Sequence, residues 1–199
     1  MVSTPHVARK NAPKPKVFIS YSRRDLPFAE KLVSALESRD IEAVIDKRDL
    51  PLAEEWQREI LGFIRQADSV VYVVSAASVS SNWCGWEIEQ VQKLNKRLAP
   101  VVVAEVDNLH VPEGIRKVNY VFFTGEYAES PGFERQIDAL AKALKTDIAW
   151  IKNHTRLGGL AARWEEKGRS PALLLRSGEL DEAEAWGARQ PAEAPGLTL

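Results

Sequence analysis

Four stretches carry the side chains able to do chemistry: Ser20-Tyr21-Ser22-Arg23, Asp46-Lys47, Ser75, and Trp83-Cys84-Gly85-Trp86-Glu87. Glu87 follows a β-branched run and opens a helical pattern, so it is expected in a first helical turn. The helix dipole favours an anion there. An anionic carboxylate in a cleft can stabilise growing positive charge or activate a water. Trp83 precedes Glu87 by four residues and shares its helix face, so its indole can pack on a planar ligand or anchor the helix in the core. Glu89 lies about 200° round the helix from Glu87 and reads as solvated. Trp86 reads as core, and Cys84 as a small buried thiol with no need of reactivity. The ordinary alternatives are a dipole-paired glutamate, a solvated arginine pair at Arg23-Arg24 and a charged turn after Asp46.

These side chains need a scaffold that brings them together. Five apolar runs supply it: Val17–Ile19, Ala43–Ile45, Val70–Val74, Val101–Val103 and Val121–Phe123. Their continuous β-branched and aromatic character suits strands covered on both faces, as in a parallel sheet. Between them, Phe28/Leu32/Val33/Leu36, Trp56/Ile60/Phe63/Ile64 and Phe133/Ile137/Leu140/Leu144 form helical stripes. A further helix around Glu87 is expected to be broken by Pro100, and any helix near Pro112 and Gly114 to be short. The alternation predicts a three-layer α/β domain over 16–147. A flexible segment (1–15) is expected before it, with a helical connector (148–189) and a linker-like tail (190–199) after it. In a parallel sheet all strand exits share one edge, so Ser20–Arg23, Asp46–Lys47, Ser75 and the Glu87 helix should converge there.

Composition excludes several classes. The formal net charge of −1 leaves no basic surplus to neutralise nucleic-acid phosphates. One cysteine permits no intrachain disulfide, and three dispersed histidines give no metal-ligand spacing. His154 falls beyond the sheet domain, so it is not expected to pair with Cys84. No run reaches the length of a membrane span, and cytoplasm is the default expectation. Neither a Gly-x-x-x-x-Gly-Lys loop nor a Gly-x-Gly-x-x-Gly fingerprint follows a strand.

Val17-Phe18-Ile19-Ser20-Tyr21-Ser22, the loop Asp46-Lys47-Arg48-Asp49-Leu50-Pro51 and the Cys84-x-x-Glu87 element resemble, in this order, the motifs of the TIR (Toll/interleukin-1 receptor) domain in its bacterial form. His154-Thr155-Arg156-Leu157 and Leu173-Leu174-Leu175-Arg176 are similar to the connector that follows this module in multidomain bacterial proteins, often before a sensor or repeat domain. The resemblance implies a flavodoxin-like sheet of order 2-1-3-4-5. It also implies NAD glycohydrolase activity: cleavage of the nicotinamide–ribose bond to nicotinamide and ADP-ribose or a cyclised product, as in prokaryotic immune and antiviral signalling. In that reading Glu87 is catalytic, while Ser20, Tyr21, Ser22, Arg23, Asp46, Lys47, Ser75 and Trp83 contact substrate. NAD is then a substrate, no cofactor or metal is needed, and self-association completes the site. Leu52 stands where receptor-type members carry glycine after the loop proline. The rival expectations are a non-enzymatic TIR–TIR adaptor and a hydrolase of other nucleosides or nucleotide-sugars.

Overall fold

The computed structural model describes residues 14–46, 54–106, 111, 113–116, 118–125 and 128–197. The segment expected to be flexible lies outside these but for its last two residues, and Lys47 lies outside them too. Strands β1 (Lys16–Ser20), β2 (Glu42–Val44), β3 (Ser69–Val74), β4 (Arg97–Val102) and β5 (Val121–Phe122) pair in parallel, in the order β2-β1-β3-β4-β5. This is the flavodoxin-like order. Ser20 at the end of β1 lies opposite Tyr72, and Val74 at the end of β3 opposite Val102.

Period-two alternation splits the strands between two cores. Val17, Ile19, Val71 and Val73 pack against α1 (Leu26–Glu37) and α6 (Gly132–Lys145), which contribute Leu32, Leu36, Ile137 and Leu140. On the other face, Phe18 and Val70 meet Trp56, Ile60 and Ile64 of α2 (Glu54–Gln66) and Val91. Tyr72 and Val74 meet Ile88 and Ile115. Every residue of β3 is buried, which is why its sequence is apolar without alternation. Two helices follow β3. The short α3 (Ala76–Val79) is held by a reciprocal capping box between Ser75 and Ser78, and α4 (Asn82–Lys93) is capped by Ser81, whose hydroxyl accepts from the Cys84 N–H. The helix between β4 and β5, α5 (Glu113–Arg116), is a single turn.

One boundary differs from expectation. Helix α4 ends at Lys93, and Asn95 adopts φ +45°, turning the chain before Pro100 is reached. Pro100 instead lies inside β4, opposite Tyr72. Because β5 pairs only with Val101 and Val102, β4 has a sheet neighbour on one side alone at Pro100, the setting that tolerates a missing N–H.

Beyond the sheet, α7 (Ile148–Glu166) and α8 (Gly178–Gly187) form a helical extension. Trp150 and Trp186 stack at 4.5 Å and exchange hydrogen bonds, each indole N–H donating to the other's carbonyl at 3.2 and 3.1 Å. The chain then runs back along α7 and α4: His154 Nε2 lies 3.0 Å from the Gly196 carbonyl, and Asn95 donates to the Leu197 carbonyl at 3.2 Å. Among the described residues no helix is long and apolar enough to cross a membrane.

Candidate functional site

After β1 the chain leaves toward β2, and after β3 it leaves toward β4. The sheet's topological switch point therefore lies between these adjacent strands, where open α/β sheets hold ligands. Ser20 closes β1 there, and α4 brings Glu87 to the same edge. Both residues are buried, at 1% and 4% exposure.

The register of α4 sets the state of Glu87. Helix α4 starts at Asn82, so Glu87 sits in its second turn, past the reach of the helix-end dipole expected to hold it anionic. Burial dominates and pushes its carboxyl up to about 7. The hydrogen bonds from Ser20 and Trp83 pull the other way, as does Arg23, while Asp46 adds to the rise. Ser20 Oγ donates to Oε2, and Trp83 Nε1 donates to Oε1 at 3.0 Å. The expectation of an anion secured by the dipole is therefore corrected: this carboxyl is poised near neutrality because desolvation outweighs its two donors.

A second layer is built on Asp46, where β2 gives way to the following loop. The Tyr21 hydroxyl donates to the Asp46 carbonyl at 2.6 Å, and Arg23 reaches that carbonyl at 3.2 Å and the carboxylate at 3.3 Å. Trp56 Nε1 donates to Asp46 Oδ2 at 2.7 Å, and its ring lies 3.5 Å from that of Trp83. Trp86 flanks Trp83 on the helix at 4.9 Å. An unbroken chain of contacts thus runs from Arg23 and Tyr21 through Asp46, Trp56 and Trp83 to Glu87.

Trp56 was absent from the site residues the sequence suggested. The signal was present: Trp56, Ile60 and Ile64 mark the buried stripe of α2, and α2 and α4 both follow crossovers on one sheet face, so the first residue of that stripe meets the start of α4.

Ser75 is placed at the same edge but is committed locally. Its hydroxyl donates to Asp25 at 2.6 Å and accepts from the Ser78 N–H at 3.1 Å. Ser22 lends its carbonyl to the Asp25 N–H at 2.7 Å, starting the short turn before α1. Glu89 is exposed, on the opposite side of α4 from Glu87. Burial raises the Cys84 thiol to about 12, so it holds its proton as an inert core group. His154 belongs to α7 and bonds the returning chain. Among the described residues no three His, Cys, Asp or Glu side chains gather as a metal site requires.

Residues 17–141 match the family model described as a TIR domain. Mouse Toll-like receptor 2 is 28% identical over 139 residues, covering 66% of this chain, and the sheep receptor is 27% identical over the same length. The match takes in 18% of each receptor, so this chain spans a small part of those relatives. Among solved structures, the TIR domain of the Toll-related receptor TRR-2 from Hydra magnipapillata superposes with a TM-score of 0.51 at 20% identity, over 63% of this chain and 97% of that one. A metazoan TIR-STING receptor from C. gigas gives 0.53 at 23% identity, over 69% and 41%. A prokaryotic SEFIR domain gives 0.52 at 16% identity, over 66% and 93%. These structural likenesses are to the fold.

Proposed function

This chain belongs to the TIR domain family, and on that premise we propose that it hydrolyses NAD at the nicotinamide–ribose bond. The observation that carries the reading is the buried Glu87 carboxyl at the sheet's switch point, held by Ser20 and Trp83 and poised near pH 7. An ordinary surface glutamate would be neither desolvated nor doubly held.

The chemistry asks little of such a site. Nicotinamide joined to ribose is already cationic and leaves as a neutral base, so no proton donor is needed. What develops is positive charge on the ribose ring, and an anionic carboxylate beside it lowers the barrier. Glu87 supplies that anion, and the incoming cationic ring favours its ionised form. Water then adds to the ribose carbon and releases one proton, leaving ADP-ribose. Once its contact with Trp56 is released, Trp83 offers a planar face to the nicotinamide, and Arg23 offers a guanidinium to the diphosphate. NAD is substrate here, and no further cofactor takes part. Self-association through the TIR module in the cytoplasm, and a role in immune signalling, belong to the same reading.

The test is nicotinamide release from NAD by concentrated protein, wild type against Glu87→Gln. Release that disappears with the substitution supports the reading. Release that persists moves the catalytic group elsewhere. No release from folded, self-associated wild type leaves the second reading, a TIR interaction module. One observation favours that alternative: Glu87 is 4% exposed, and its own chain engages both of its oxygens.

A further inference from the structure

The closed state of Glu87 has an identifiable cause outside the site. Trp83 covers the carboxyl, Trp56 covers Trp83, and Trp56 stands in the first turn of α2. The far end of α2 is tied to the helical extension. Arg65 Nη1 meets Glu166 at 2.7 Å, and the Ala67 carbonyl accepts from Thr155 Oγ1 at 3.3 Å. Lys96 joins the two bodies, donating to the carbonyls of Arg65 and Ala67 at 2.8 and 2.9 Å and to Thr155 Oγ1 at 3.4 Å. One residue on, the buried Asp68 carboxylate receives Lys152 Nζ at 2.9 Å. Helix α7 also buries Trp150 and Ile151, so it is docked by apolar area as well as by charge.

We propose that α7 is a brace that holds α2 in place and thereby keeps Glu87 closed, so that displacement of α7 opens the site. The brace deepens the NAD-hydrolase reading by supplying its regulation, and as a control of access to the enzyme's carboxyl it rests on that reading. Geometry gives α2 the leverage. Trp56 and Arg65 are separated by about 14 Å of helix, and a pivot of about 10° at the Arg65 end carries the Trp56 end by about 2–3 Å. That is enough to break the 3.5 Å indole contact and the 2.7 Å bond to Asp46. The strength of the ties is unequal. Arg65–Glu166 is half exposed and contributes little by itself, whereas Lys152 meets a carboxylate that is 3% exposed, one that also accepts from the Lys16 N–H and feels the charges of Lys96 and Arg97. The buried end of the brace therefore decides whether α7 stays docked.

The double variant Lys152→Glu/Glu166→Arg replaces both attractions with repulsions and leaves every residue of the site unchanged. Three readouts on the full chain separate the outcomes: hydrogen exchange along α2 and α7, oxidative labelling of Trp83, and nicotinamide release at a fixed low protein concentration. The expected result is exchange in α2 and α7 faster by about tenfold, greater labelling of Trp83 and increased release. Faster exchange in α7 with α2 and Trp83 unchanged overturns the brace. Opened α2 and labelled Trp83 with no rise over a measurable wild-type release also overturns it as a control of activity. If neither protein releases nicotinamide while Trp83 becomes accessible, the brace is supported as a control of access and the NAD-hydrolase reading fails. Should the double variant lose cooperative unfolding, Lys152→Met takes its place, removing the buried tie to Asp68 without setting a like charge beside it, and α2 exchange that stays at the wild-type rate while α7 exchange rises counts against the brace.

Discussion

Trp83 Nε1 donates to Glu87 Oε1 at 3.0 Å across one turn of α4, so the indole that shares the glutamate's helix face is also its hydrogen-bond donor. The pair accounts for two properties of the site together. Trp83 shields Glu87 from water, which raises its proton affinity, and bonds it, which lowers that affinity. Burial is the larger of the two. The carboxyl rests near neutrality as a result.

Glu87→Gln removes the anion and keeps the shape. The amide oxygen can accept from Trp83, and its NH2 can donate to Ser20 Oγ, so the fold is retained. Nicotinamide release should fall by about 100-fold or more. Initial rates with purified protein, beside a matched unfolding curve, check this.

The same substitution makes a stability prediction with a definite sign. Glu87 has a folded-state pKa of about 7, above its ordinary value of 4.5. Between those values the folded state binds more protons than the unfolded state, so stability falls as pH rises through this window. Below pH 4.5 the cost of the buried charge is absent, and above pH 7 it is fully present, on the order of 3 kcal/mol. Glu87→Gln should therefore flatten this part of the profile and stabilise the protein above pH 7. Denaturant midpoints from pH 5 to 8 give the answer, and a wild-type slope unchanged by the substitution refutes it.

Two substitutions should move the activity profile in opposite directions. Trp83→Phe keeps a ring against Trp56 but deletes the N–H that favours the anion, so the rise of kcat/KM with pH shifts to higher pH. Asp46→Asn removes a negative charge that raises the Glu87 pKa and retains an acceptor for Trp56, so the rise shifts to lower pH. Shifts of equal sign would mean that the two changes act through the fold and not through the carboxyl.

Ile137 offers a control away from the site. It is fully buried among α1, α6 and the central strands. Ile137→Ala should destabilise the protein by about 2–5 kcal/mol. Chemical denaturation measures the loss, and the pH at which kcat/KM rises should stay where it is in the wild type.

The sequence by itself determined the sheet domain. Strand positions and helix stripes were legible because burial imposes periodicity: Val70–Val74 is apolar throughout since both faces of β3 are covered, and Ile137 and Leu140 recur at helical spacing since one face of α6 is buried. The convergence of Ser20, Asp46, Ser75 and Glu87 on one edge followed from parallel topology alone. Lys47 lies outside the described residues.

Tertiary structure decided the rest, because hydrogen bonds and burial depend on neighbours remote in sequence. The Ser81 cap set the helix register that moved Glu87 from the first turn to the second. Packing, not composition, gave the Tyr21 hydroxyl to the Asp46 carbonyl and the Ser75 hydroxyl to Asp25. Trp56 looked like one more core position until the juxtaposition of α2 and α4 set it against Trp83. The contact between α7 and α2 left no local mark, since Lys152 and Thr155 read as ordinary polar residues of a connector until Asp68 and Ala67 stood opposite them. Local chemistry wrote the elements, and long-range burial determined which of their side chains remain held by the fold.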